Sequence, residues 1–133
     1  MKKKQQSPAF SESISAVCRM FDDALKDYQW NSDKIVEMDK LTQDYLHSLE
    51  LDGLKYEERA KIATQLAKCR QERREHKDTT TILEPLVQYL NTDKGRQLSN
   101  LLKEVLGKTR KAEEKMENRV YYPRVLGRGE NDV

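Results

Sequence analysis

ISAVCRMFDDALKDYQWNSDKIVEMDKLTQDYLHSL, residues 14–49, carries a stripe whose members alternate in spacing between three and four. They are Ile14, Val17, Phe21, Ala24, Tyr28, Asn31, Ile35, Met38, Thr42, Tyr45 and Leu49. Such spacing is the heptad signature of an α-helix with one buried seam. Arg19, Lys26, Asp33, Lys40 and His47, seven apart, are all polar and mark the water-facing side of the same helix. The pattern ranks assembly above catalysis. It predicts an all-α protein in which a long N-terminal helix folds back as an antiparallel helical hairpin or coiled coil, followed by one short and one longer C-terminal helix and an extended tail.

Working outward, the first helix runs from about residue 13 to 50, and at the usual rise per residue it is roughly 55 Å long. Ser11 or Ser13 can cap it, with Glu12 favourable in its first turn. Asn31 and Ser32 are weak helix formers, so a break is expected there if anywhere. Asp52 and Gly53 end the helix, because glycine accepts the left-handed conformation. A second helix starts near Tyr56 and buries Ile62, Ala63, Leu66 and Cys69. Residues 70–81, RQERREHKDTTT, contain no apolar residue and must be solvated or paired with acids. Ile82, Leu83, Leu86, Val87 and Leu90 resume an apolar face, and Pro85 either kinks the helix there or begins a new one at its first turn, of which a short separate helix is the favoured reading. After a connection at Asn91 to Asp93, Thr92 or Asp93 caps a last helix carrying Leu98, Leu101, Leu102, Val105, Leu106, Ala112 and Met116. The division is a flexible basic arm over 1–10, a single helical bundle over 11–120 and an extended tail over 121–133.

The 133 residues are 36% apolar and 36% charged, which suits one domain with narrow buried stripes. Cys18 and Cys69 lack metal-ligand spacing, and no run resembles a signal peptide or a membrane span. Reduced thiols and a cytoplasmic location are expected. The net charge of +2 hides segregation. Residues 12–52 hold ten acids against four bases, residues 59–77 seven bases against two acids, and residues 94–128 ten bases against four acids. Either the acidic first helix lies between basic neighbours, or the basic segments meet an anionic partner.

If the first two helices reverse about Gly53, Arg73 and His76 fall opposite Lys34 and Asn31, and Asp33 and Glu37 come within reach of Arg70, Arg73 and Arg74. Asn31 then forms a polar layer that sets register at some expense of stability. Alternatively Arg70, Arg73, Arg74 and Lys77, spaced i, i+3, i+4 and i+7, form an exposed positive stripe. Nucleic acid, an acidic protein surface and the chain's own first helix all fit it.

The case for an enzyme is poor. Asp44, His47 and Glu50 spread around the helix, and Glu114 with Glu117 is a single E-x-x-E without a second acidic motif. No phosphate loop, Gly-x-Gly-x-x-Gly turn or Cys-x-x-Cys pair is present. No catalytic residue, metal or cofactor is expected. Trp30, away from the seam, and Tyr121, Tyr122 and Arg124 on the tail are candidate contact residues of the types enriched at binding hot spots. The competing reading has Trp30 covering the third or fourth helix and Tyr121 strapping the tail onto the bundle.

LHSLEL (46–51), RAKIA (59–63), CRQERREHK (69–77), EPLVQYL (84–90), LGKTRK (106–111) and ENRVYYPRV (117–125) give roughly residues 40–125 a character that resembles uncharacterised short all-helical proteins encoded by phages and prophages of Gram-positive bacteria. The resemblance implies a small protein that works in the bacterial host cytoplasm by docking onto host, replication or defence proteins. The expected function is non-enzymatic: binding and modulating, by inhibition, a protein target such as a host or antiviral-defence factor. The alternative is a nucleic-acid-binding accessory protein of phage replication or transcription, its Lys2 to Lys4 arm and basic segments on phosphates. No membrane partner is expected, and a homodimer follows if the Ile14 to Leu49 seam pairs between chains.

Overall fold

The computed structural model describes residues 9–51 and 53–125. They form three α-helices, α1 Phe10–Leu51, α2 Tyr56–Leu90 and α3 Asp93–Glu117, with no strand among the described residues. The basic arm over 1–8, Asp52 and the tail beyond Val125 lie outside them. Phe10, assigned to the arm by sequence, is already helical.

α1 has 42 residues and is therefore about 60 Å long. It runs unbroken through Asn31 and Ser32. The Asn31 Nδ2 donates back to the Asp27 carbonyl at 2.7 Å while its Oδ1 is engaged by α2, so the side chain is used without opening the backbone ladder. Of the predicted seam only Val17 is exposed, and its neighbour Cys18 is buried instead. Cys18 shares a helix face with Ser11, seven residues earlier, which is where α3 makes contact. The outward set Arg19, Lys26, Asp33, Lys40 and His47 is exposed throughout. Gly53, just past the helix, has φ +55°, the left-handed value that an L side chain resists.

α2 corrects the expectation of a separate short helix: it is one helix of 35 residues with Pro85 inside it. Proline removes one ladder hydrogen bond and crowds the preceding turn at a cost of about 3 kcal/mol. What offsets this is an unbroken seam on either side of it. Ile62, Leu66, Cys69, Arg73, His76, Thr80, Leu83, Val87 and Leu90, spaced alternately four and three, are all buried or half-buried, while Pro85 is exposed. The apolar-free stretch is thus a continuation of the buried face with polar side chains in it. Ala63 and Ile82, placed on that face by sequence, are exposed, because neither falls on the four-three repeat.

α1 and α2 pack closely. His76 meets Asn31, Arg73 meets Asp39 and Cys69 approaches Met38 and Thr42, so residue numbers rise along one helix as they fall along the other. The middle of the α1 seam, from Asn31 to Thr42, is therefore in contact with α2 of the same chain. Cys18 and Cys69 are both buried and free.

Asn91 and Thr92 connect α2 to α3. The Thr92 Oγ1 accepts from the Gly95 N–H at 3.1 Å, a side-chain N-cap, and Gly95 itself is buried against the end of α2. Gly95, Ser99, Leu102, Leu106, Thr109 and Glu113 form the inner face of α3, all buried or half-buried. Two contacts tie α3 to the first third of α1: Lys103 Nζ lies 3.9 Å from Asp22 Oδ1, and the Ser11 N–H donates to Glu113 Oε2 at 3.2 Å.

The second contact satisfies one of the N–H groups that a helix start leaves without partners, from a residue 102 positions away. Hydrogen bonds from the Ser11 side chain and backbone hold the Glu113 carboxyl below its ordinary value of 4.5, with Arg110 adding to the effect. A lowered folded-state value means that this attachment is present above about pH 4.5 and is lost as pH falls through the lowered value. Glu113→Gln is expected to remove that acid-sensitive component. Amide exchange at residues 11–14 would then be faster at neutral pH and would change less on acidification than in the unaltered protein.

Candidate functional site

Arg70, Arg73, Arg74 and Lys77 sit on successive turns of α2, and the fold divides them. Arg73 belongs to the seam and turns inward, its Nε donating to Asp39 Oδ1 at 2.6 Å, with Arg70 Nη1 3.7 Å from the same oxygen. Arg74 and Lys77 are exposed and have no acid within ion-pair distance among the described residues. The four bases and Asp78 line an open depression of about 440 Å³, and a neighbouring one is lined by Arg70, Gln71, Arg74, Glu75 and Asp78. The surface is basic but interrupted by acids.

Asp39 is the acid that sequence reasoning missed. Asp33 and Glu37, expected to meet the arginines, instead engage Gln29 at 2.9 Å and Lys34 at 3.2 Å on α1 itself. The signal was in the helix period. Asp39 follows the seam residue Met38 and flanks α2, whereas Asp33 belongs to the outward set.

Beside this surface lies a polar layer. His76 Nδ1 stands 2.8 Å from Asn31 Oδ1, the pairing that reversal about Gly53 predicts. Because the Asn31 Nδ2 is committed to the Asp27 carbonyl, its Oδ1 is the acceptor and His76 carries its proton on Nδ1. Trp30 packs against His76 in the middle of α2. It is 56% exposed, edge-on to the His76 ring at 5.4 Å, with Lys34 Nζ 5.5 Å from its centroid. The indole is thus more than half exposed next to the layer.

Among the described residues of the tail, 121–125, no side chain is strapped onto the bundle. Tyr121 and Tyr122 are 80% and 78% exposed, and Arg124 is exposed as well. The structure therefore brings together Trp30, His76 and Arg73, and holds Arg70, Arg74 and Lys77 on the outer side of α2. It does not bring Tyr121, Tyr122 or Arg124 onto them. Among the described residues no three His, Cys, Asp or Glu side chains gather closely enough to hold a metal ion, and no helix is long and apolar enough to cross a membrane.

No protein-family model, curated protein or solved structure matches this chain. The chemistry available to the surface is recognition. Arginines offer forked donors to carboxylates, and the indole offers a rigid apolar face.

Proposed function

We propose that this protein is a non-enzymatic interaction module in which α1 and α2 form an antiparallel coiled-coil hairpin that docks on a protein target and masks it. In the setting implied by the phage-protein resemblance, the target is a host or antiviral-defence factor. Arg70, Arg74, Lys77 and Trp30 make the contact, with the exposed Tyr121, Tyr122 and Arg124 as a second contact segment. Arg73 is a positioning residue that ties α2 to Asp39.

The observation that carries this reading is the mixed charge of the α2 surface. Arg74 and Lys77 are unpaired, yet Glu75 and Asp78 stand among them. A phosphate backbone presents uniform negative charge, and acids in its track oppose binding. A folded protein surface carries both signs, so an alternating face complements it and excludes wrong partners.

The test separates the inward arginine from the outward ones. Arg73→Ala is expected to lower stability by about 1 kcal/mol, the scale of a half-exposed charged hydrogen bond. Arg74→Ala is expected to stay within about 0.5 kcal/mol of the parent. The triple variant Arg70→Glu, Arg74→Glu and Lys77→Glu should keep its helicity by circular dichroism but lose a protein captured from bacterial lysate by the parent, identified by cross-linking and mass spectrometry. Equal capture by both would reject the assignment. So would salt-steep binding of short DNA or RNA in fluorescence anisotropy that the triple variant abolishes, which is the outcome expected of a nucleic-acid accessory protein.

A further inference from the structure

Along α2 the exposed residues Ala63, Ala67, Arg70, Arg74, Lys77 and Thr81 recur at intervals of four, three, four, three and four. They make a second heptad ridge, turned about 120° around the helix from the seam that meets α1. The ridge is small at one end, basic through its middle two turns and small again at the other. Arg70, Arg74 and Lys77 stand at i, i+4 and i+7, where like charges repel one another in the free helix.

The chain's own acids leave that repulsion in place. Asp39 receives Arg73 at 2.6 Å and reaches Arg70 only at 3.7 Å. Asp78 borders the ridge one turn beyond Arg74, and Glu75 is turned farther round the helix. Among the described residues neither forms an ion pair. Over two turns the ridge therefore offers three bases against one bordering acid.

We propose that the target docks an acidic α-helix along this ridge, its carboxylates spaced four and three apart to meet Arg70, Arg74 and Lys77. The proposal rests on the reading that the α2 surface binds a protein, and it names the element that is bound. The four-three repeat matches the ridge of a second helix over several turns. Ala63 and Ala67 keep the surface low beside the bases, so the backbone of that helix can come close. The arginines offer forked donors to its carboxylates. Glu84, next in the repeat after Thr81, repels a carboxylate and marks where the acids of the partner stop. Width selects against a phosphate backbone. A helix of about 10 Å lies on the ridge alone, while a wider nucleic-acid duplex lays its phosphates over Asp78 and Glu75 as well.

The probe is a fluorescein-labelled helical peptide rich in alanine and glutamine, with three glutamates spaced four and three apart. It is titrated with the full-length protein by fluorescence anisotropy at low salt. A peptide of the same composition with its glutamates five apart, scattered round the helix, is the comparison. The matched peptide is expected to bind at least about tenfold more tightly than the scattered one and to weaken as salt rises. The triple variant Arg70→Glu, Arg74→Glu and Lys77→Glu should lose at least about tenfold in affinity for it. Arg74→Glu alone should weaken binding more than Lys68→Glu, the same change of charge at an exposed position off the ridge.

Equal affinity for the two peptides overturns the proposal, since the surface would then attract anions without reading a helix. Tighter binding of a short DNA or RNA duplex than of the matched peptide at the same salt also overturns it. So does self-association of the parent that the triple variant abolishes, which would put a second copy on the ridge. Absence of peptide binding at low salt overturns it too. In that case loss of the lysate protein by the triple variant keeps protein docking in force with a different bound element, whereas equal capture rejects the α2 surface altogether.

Discussion

Gly95→Ala is expected to cost about 3 kcal/mol, the upper part of the range for overpacking, and to lower the melting temperature accordingly. A Cβ at this position would stand 2.0 Å from the Tyr89 carbonyl oxygen and 2.7 Å from the Leu90 Cα. Both are backbone atoms, so no rotamer change can make room. The first turn of α3 would have to move off the end of α2, loosening the Thr92 cap and the burial of Val87 and Leu90. Gly107→Ala is the matched control. It lies in the same helix with nothing within 4 Å of its added Cβ, so the gain in helix propensity should stabilise by about 0.5 to 1 kcal/mol. Opposite shifts in chemical denaturation would establish close contact, rather than helix propensity, as the role of Gly95. Equal shifts would refute it.

Replacing one member of the Asn31–His76 pair should be far worse than replacing both. Asn31→Leu leaves the half-buried His76 Nδ1–H without its acceptor, and His76→Leu leaves the buried Asn31 Oδ1 without its donor. Each single change is expected to cost about 2 kcal/mol, the penalty for stranding a polar group away from water. The double change Asn31→Leu with His76→Leu removes both polar groups and is expected to return close to the parent or above it. A double-mutant cycle by urea unfolding therefore gives a coupling of about 4 kcal/mol, both single losses being recovered in the double. Strict additivity of the two single losses would show that the layer is not a coupled unit. The double variant should also exchange its α1 and α2 amides less uniformly, since the feature that distinguishes one register from its neighbours is gone.

The long first helix, the outward polar set and the Asn31–His76 layer were legible because each rests on spacing within one helix or on a reversal that a single glycine marks. The α2 seam was legible only in part. A search for apolar residues stops at Arg70, although the four-three repeat continues through Arg73, His76 and Thr80 to Leu83. Periodicity of burial outlasted periodicity of hydrophobicity there because the facing residues on α1, Asp39 and Asn31, are polar too. Pro85 misled for the opposite reason. Its local cost argues for a helix end, but packing on both sides of it outweighs that cost.

Of the candidate contact residues, sequence identified the types and the neighbourhood but not their division. That Arg73 turns inward while Arg74 faces water follows from a rotation of one residue around α2, and it needs the partner helix in place to be read. Tyr121 and Tyr122 could not be assigned from composition, because an extended segment carries no period that says which side meets the bundle.

By itself the sequence determined that the chain is helical, where α1 starts and stops and where α2 and α3 start to within a few residues, and which stripe of α1 is buried, since these depend on propensities and spacings local to a few turns. Only the tertiary structure decided that Asp39 receives the arginines, that Glu113 secures the start of α1 and that Gly95 must be glycine. Each of those depends on the distance between residues remote in sequence, and such distances are set by how whole helices pack rather than by any short stretch of chain.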